Sequence, residues 1–137
     1  MADNDAVGTG VYKVYGTFKP LSAYGHNVQM LDGSTIDLSK KTGEWSNKYT
    51  NSDNGNFFVT FAPGTVTVDL TGREAEMESL AKGEVEGNER GYVITWNTKP
   101  TDVKFLPKMA NAEKYVLTPT DTGLRIRKPK GMTLIVK

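Results

Sequence analysis

The sequence predicts an all-β fold, an antiparallel meander that closes into a barrel or a two-sheet sandwich, with one short helix near residues 72–82. Short segments in which apolar and polar residues alternate run along most of the chain. Turn dipeptides rich in Gly, Pro, Asn and Asp separate them, and only one stretch has helical spacing. Because 137 residues suffice for one core, we expect a single β-rich domain over 1–137, with a polar N-terminal arm at about 1–10.

The turn dipeptides predict which strands are neighbours. Asp32-Gly33 and Asn54-Gly55 are typical two-residue hairpin turns, and Pro63-Gly64 suits a turn whose second residue is left-handed. Later, "KYVLT" and "LRIR" flank "PTDTG", and "LRIR" and "MTLIV" flank "KPKG". Each pair is therefore expected to be antiparallel, with no internal repeat evident. Roughly nine or ten strands exceed what a flat sheet tolerates, so closure into a barrel or sandwich is expected.

The segment "LTGREAEMESLAKGE" predicts the helix. Thr71 and Glu74 have the spacing of a capping box, and Gly83 stands where a C-terminal glycine belongs. The apolar residues of the segment share one helical face: Met77, Leu80 and Ala81. We expect this helix to cover one end or one side of the β structure.

Composition argues against several classes of function. The chain has no Cys and one His, His26, so nucleophilic triads and His/Cys metal sites are not expected. The net charge of +1 and the absence of a Gly-rich phosphate loop argue against nucleic acid and nucleotide partners. No apolar run is long enough to span a membrane. We therefore predict a protein that is not an enzyme and has no cofactor.

The aromatic strand "GYVITWN" (91–97) predicts either core or the wall of a ligand cavity. Together with "TGEWSN" (42–47) it resembles signature strands of the avidin family, and G-x-W is also typical of lipocalins; both are calycin barrels that bind small molecules. The resemblance implies that Asn47 contacts a ligand and that Trp96 forms a pocket wall, with Tyr115 in place of a later tryptophan. The candidate pocket comprises Trp45, Asn47, Tyr92, Ile94, Trp96 and Tyr115.

Charge is distributed unevenly along the chain. Positions 69 to 89 include seven acidic and two basic residues, whereas positions 99 to 137 include nine basic and three acidic residues. Either both regions are solvated faces, or unlike regions of two copies attract each other. The candidate interface comprises Glu74, Glu76, Glu78, Arg125, Arg127 and Lys128.

These observations favour a non-catalytic structural or assembly subunit that associates with copies of itself or docks into a larger protein complex. A composition rich in Gly and Thr and free of Cys is similar to that of virion structural subunits. The alternative, implied by the calycin resemblance, is a carrier that binds a small apolar or aromatic ligand inside a barrel.

Overall fold

The computed structural model describes residues 11–20, 27–47 and 59–129. Within these ranges the chain forms eleven strands, one α-helix and one 3-10 helix. In chain order they are β1 (Val11–Val14), β2 (Thr17–Phe18), β3 (Asn27–Met30), β4 (Thr35–Asp37), β5 (Trp45–Asn47), β6 (Val59–Phe61), β7 (Gly64–Asp69), α1 (Glu74–Ala81), β8 (Tyr92–Trp96), β9 (Val103–Lys108), the 3-10 helix (Ala112–Lys114), β10 (Val116–Pro119) and β11 (Gly123–Arg127).

The described strands form three sheets, and most strand pairs are parallel. The first sheet has the order β1-β3-β6, the second β2-β4-β7-β9, and the third β10-β11-β8-β5. All pairs of the first two sheets are parallel, as is the β5–β8 pair of the third. The chain therefore passes from the first sheet to the second in successive layers, which we call rungs: β1–β2, β3–β4 and β6–β7.

The all-β class with one short helix is confirmed, but the antiparallel meander is wrong for most of the described chain. β3 pairs with β1 and β6 rather than with β4, so Asp32-Gly33 forms a corner between two sheets and not a hairpin. Pro63-Gly64 is the corresponding corner one rung later. These corners bond across rungs, because the Gly33 N–H donates to the Thr65 carbonyl at 2.7 Å. The described strands do not close into a barrel.

The β10–β11 hairpin is confirmed as antiparallel, with Leu117 opposite Ile126. β11 in turn pairs antiparallel with β8, so this hairpin interrupts the parallel order of the third sheet. Four sequence predictions lie outside the described residues: the arm at 1–10, His26, the Asn54-Gly55 turn and the strand predicted in "MTLIV".

A short sequence repeat, which the sequence analysis missed, underlies the rungs. "TIDLS" (35–39) and "TVDLT" (67–71) lie side by side, with Asp37 paired to Asp69. In each copy one aspartate oxygen accepts two hydrogen bonds from the residue two positions later. Asp37 Oδ1 accepts from the Ser39 N–H at 2.9 Å and its Oγ at 2.5 Å, and Asp69 Oδ1 accepts from the Thr71 N–H at 3.0 Å and its Oγ1 at 2.6 Å. The same turn therefore ends the second-sheet strand in two successive rungs.

The core lies between the three sheets and is built from aligned columns of apolar side chains. Val28 pairs with Val59 and Ile36 with Val68, and all four are buried. Because register in a parallel stack keeps equivalent positions on the same face, each rung adds one layer to the same core. The side chains without solvent exposure include Met30, Ile36, Leu38, Val66, Val68, Leu70, Met77, Val93, Ile94 and Leu124.

The helix is confirmed, although its N-terminal cap differs from the prediction. Arg73 is the N-cap residue and no side chain caps the helix. The Thr71 hydroxyl donates to Asp69, because the repeated turn places that carboxylate two residues away. The Glu74 carboxylate instead accepts from the Gly72 N–H at 3.1 Å. The predicted capping box is therefore wrong.

At the other end of the helix the prediction holds. Gly83 is left-handed (φ 75°). Its N–H donates to the Leu80 carbonyl and the Glu84 N–H donates to the Ser79 carbonyl, the two bonds of a Schellman motif. Met77 and Leu80 are buried, so the predicted apolar face packs on the core.

Candidate functional site: a groove beside β6

A groove lies at the end of the first sheet, beside β6. It has a volume of about 740 Å³, with apolar side chains in its floor and polar side chains along its rim. Phe61 and Trp96 contribute to the floor, and Lys99 contributes a charge. The lining residues are Asn47, Val59, Thr60, Phe61, Trp96, Asn97, Thr98, Lys99, Pro100 and Thr101.

The backbone of β6 alternates between facing β3 and facing the groove. The Ala62 N–H donates to the Met30 carbonyl of β3 at 2.9 Å, so Ala62 and Thr60 face β3. Successive residues of a strand direct their backbone groups to opposite sides, so Val59 and Phe61 direct theirs away from β3. β6 is thus an edge strand in the part of the chain that the structure describes.

Asn47 occupies part of that edge. Its Nδ2 donates to the Val59 carbonyl at 2.9 Å, and its Oδ1 accepts from the Val59 N–H at 2.8 Å. The carboxamide therefore replaces a neighbouring strand at this one residue. This explains why a polar side chain at the end of β5 is 7% exposed.

Three aromatic rings close the core beneath the groove. Phe61 and Phe105 meet edge to face with centroids 5.1 Å apart, and Trp96 lies 6.4 Å from Phe61 and 6.0 Å from Phe105. The Trp96 Nε1–H donates to the Thr120 carbonyl at 2.8 Å, and the side chain is 3% exposed. Trp96 is therefore a core residue whose edge borders the groove, with its polar group already bonded.

The structure brings together two of the six residues of the candidate pocket. Asn47 and Trp96 line the groove, whereas Trp45 and Ile94 are opposite each other in the β5–β8 pair and are buried in the core. Tyr92 lies at the surface, where its hydroxyl bonds to Thr122. Hydrogen bonds with Thr122 and, to a smaller extent, Thr120 lower the pKa of Tyr92 to about 8.

Tyr115, the sixth residue, lies beside the helix, where its hydroxyl donates to Glu78. Burial, as the main cause, and this hydrogen bond to a carboxylate, as the second, raise the pKa of Tyr115 to about 12. Lys128 lies over the Tyr115 ring, 5.8 Å from its centroid, and its Nζ donates to Glu78 Oε2 at 2.6 Å. Lys82 approaches the same carboxylate at 3.3 Å.

This cluster has a direct bearing on the candidate interface. Glu78 from the acidic region and Lys128 from the basic region are paired within one chain, and hydrogen bonds from Lys128 and Tyr115 lower the pKa of Glu78 to about 2. Glu74 accepts from the backbone N–H of Ala110 at 3.2 Å. Among the basic candidates, Arg125 Nε donates to the Arg90 carbonyl at 2.7 Å. Some of the charged residues that were predicted to form contacts between copies therefore form contacts within one chain.

Arg73 forms a second polar network, which the sequence analysis did not identify. It is 6% exposed, and its guanidinium donates to the Leu38 carbonyl at 3.0 Å and the Gly43 carbonyl at 2.9 Å. It also bonds both oxygens of Glu76, at 2.9 and 2.8 Å. Glu76 was a candidate interface residue; here it holds Arg73 in place and accepts from the Gly43 N–H at 3.1 Å. The network ties the start of α1 to the connection between β4 and β5.

The edge of the second sheet differs from that of the first. The Leu70 N–H of the preceding rung donates to the Lys108 carbonyl of β9 at 2.9 Å, so even-numbered residues of β9 face β7. Pro107 therefore directs its backbone away from β7, so its lack of an N–H removes no hydrogen bond between β7 and β9. Lys104 and Lys108 are exposed on the same strand. Proline and lysine are typical of edges that do not accept another strand.

Other kinds of site have less support in the described ranges. Those ranges contain no group of three or more His, Asp or Glu side chains arranged to hold a metal ion, and none of their helices is long and apolar enough to cross a membrane. Comparisons with family models, with curated proteins and with solved structures return no match for this chain. The calycin resemblance therefore stays a prediction.

Proposed function

We propose that this protein is a non-catalytic structural or assembly subunit, which acts by associating with copies of itself or by docking into a larger protein complex. The observation that carries the proposal is the edge of β6 beside the groove. Phe61 directs backbone groups toward a concave surface with an apolar floor, which is an arrangement that other polypeptide chains recognise. The protected edge of β9 supports the proposal, because it contrasts with the edge of β6, next to which the described residues form no further strand.

We expect association to depend on apolar contact more than on charge. Glu76 and Glu78 are engaged by Arg73, Lys82 and Lys128 of the same chain. An interface at the groove would depend on buried apolar surface and backbone hydrogen bonds, which salt screens only weakly. We therefore expect association that depends on protein concentration but changes little between low and high salt.

Light scattering after size exclusion tests this proposal over a range of concentrations, at low and high salt. Asn97→Arg places a large charged side chain on the groove rim, and Ala75→Arg adds the same side chain to the exposed face of α1 as a matched control. We expect Asn97→Arg alone to reduce association. The proposal would be refuted if the protein were a monomer under every condition and if the wild type captured no partner more strongly than Asn97→Arg does.

A small-molecule carrier is the second candidate, and the same groove supports it. Its volume falls within the range of about 300–1,000 Å³ that is usual for ligand sites. However, the polar groups of Asn47 and Trp96 that a ligand would need are bonded within the chain. Saturable binding of an apolar dye by a protein that stays monomeric would favour the carrier over the assembly subunit.

A further inference from the structure

The groove lies where a fourth strand of the first sheet would lie. β9 extends the second sheet by pairing with β7, whereas the first sheet ends at β6 in the described part of the chain. The connection from β8 to β9 contributes residues 97–101 to the groove wall instead of a strand paired with β6. Among the described strands, the first sheet is therefore a strand shorter than the second at the same end of the stack.

We propose that the groove binds an extended segment of a partner polypeptide, which adds to β6 as a parallel strand. This segment carries an apolar side chain that lies over Phe61 and an acidic side chain that lies near Lys99. The inference rests on the proposed function and specifies the partner that the groove selects.

The backbone of β6 determines where the segment pairs. Asn47 already satisfies the N–H and carbonyl of Val59, so strand addition is centred on Phe61, whose N–H and carbonyl face the groove. A parallel neighbour makes two hydrogen bonds to such a residue, one to its N–H and one from its own N–H to the carbonyl. With so few backbone bonds available, the side chains must supply most of the selectivity.

The rungs indicate which side chains fit. In the first sheet, Val28 and Met30 of β3 pair with Val59 and Phe61 of β6, and these positions face the core. A further parallel strand in the same register places an inward residue over Phe61, next to Trp96, whereas the Asn47 carboxamide already occupies the position beside Val59. An apolar side chain at this position therefore continues the column of Met30 and Phe61.

The charge of the groove adds a second requirement. Lys99 is the single ionisable residue among those that line it, and it is exposed. An acidic residue at the end of the bound segment gains a favourable contact there, whereas a basic one is repelled.

A six-residue peptide with the sequence of β3 and its corner, N-V-Q-M-L-D (27–32), is a suitable probe, because its methionine can lie over Phe61 as Met30 does from the other side of β6. Binding is followed by the fluorescence of Trp96 in a Trp45→Phe background. We expect a saturable change in emission, and at least tenfold weaker binding of the polar control peptide N-T-Q-S-L-D.

Charge exchange provides the second arm of the test. Lys99→Glu should weaken the binding of the acidic probe by about threefold, which is the effect expected for an exposed ion pair. A probe that ends in Lys should bind this variant more tightly than the acidic probe does. Lys114→Glu, an exposed site on the 3-10 helix, is the matched control and should bind like wild type. Loss of the preference for the acidic probe in Lys99→Glu alone supports the inference.

The outcomes separate the inference from the proposed function. If the protein assembles but does not bind the probe, or binds the polar control equally well, the inference is wrong and the assembly proposal stands. If the protein binds the probe selectively but remains monomeric, the inference stands and self-association is wrong. The inference would also be overturned if Lys114→Glu altered the response of Trp96 emission to the probe as much as Lys99→Glu does.

Discussion

Replacing Arg73 by methionine tests whether the buried guanidinium holds the helix onto the rungs. Methionine keeps much of the length and apolar volume of the side chain but removes every donor. The carbonyls of Leu38 and Gly43 and both oxygens of Glu76 lose their hydrogen bonds from Arg73, although the Gly43 N–H still donates to Glu76. The substitution therefore changes hydrogen bonding and charge far more than it changes packing.

The expected loss is large because the partners remain behind. Removing one member of a buried ion pair costs about 3–5 kcal/mol. Glu76 is partly exposed, with 31% of its side chain accessible, so water can solvate it in the variant. We therefore expect about 3 kcal/mol, at the lower end of that range. This is a substantial part of the roughly 5–15 kcal/mol by which a domain is usually stable.

Chemical denaturation at neutral pH measures this loss, with Arg127→Met as the control. Arg127 is half-buried on β11 and is expected to change the free energy of unfolding by only about 0.5 kcal/mol. If Arg73→Met had the same midpoint as Arg127→Met, the reasoning about the buried network would be refuted.

The pH dependence gives an independent check on the Arg73 network. The hydrogen bond from Arg73 lowers the pKa of Glu76 below its ordinary value of 4.5 in the folded protein. A carboxyl with a lowered folded pKa stabilises the fold above its unfolded pKa, and this contribution disappears as the pH falls through the folded pKa. The stability difference between wild type and Arg73→Met should therefore narrow in acid. If the stability difference stayed constant as the pH fell through the folded pKa of Glu76, the pairing of Arg73 with Glu76 would be contradicted.

Four further predictions follow from the site and the core. Asn47→Ala leaves both backbone groups of Val59 unpaired and should reduce the free energy of unfolding by about 2–4 kcal/mol in denaturant titrations. Trp96→Ala should cost about 3–5 kcal/mol, and the wild-type emission of this residue should be blue-shifted relative to free indole. Gly91→Ala should lower the melting temperature, because a Cβ there would lie 2.6 Å from a helix carbonyl and φ is +76°. Tyr92 should ionise near pH 8 by ultraviolet absorbance, and an ordinary value near 10 would contradict its bond to Thr122.

Local features of the fold could be predicted from the sequence because local chemistry determines them. The apolar face of α1 and its terminal glycine, Gly83, depend on residues within two turns of the helix. The β10–β11 hairpin depends on a short connection between two alternating segments. In each case the partners are close in sequence, so spacing alone identifies them.

Strand pairing could not be predicted in the same way. Asp32-Gly33 is compatible both with a hairpin, in which the next strand pairs with the preceding one, and with a corner, after which the next strand pairs with a strand from another rung. The sequence does contain a signal that distinguishes the two, the repeat of "TIDLS" in "TVDLT". At the site, Trp96 was identified by its type, whereas the role of Asn47 follows from the edge position of Val59. No sequence pattern reveals that relationship.

The parallel rungs also have a consequence for the kinetics of folding. A β-hairpin such as β10–β11 can form within microseconds, because its two strands are joined by a few residues. Val28 must instead meet Val59, and Val66 must meet Phe105, so a long stretch of chain is closed into a loop before either contact forms. Such topologies fold slowly compared with helical bundles of the same size. Newly made chains therefore expose the edges of β3 and β7 before their neighbours arrive, and this interval is when the protein is most susceptible to aggregation.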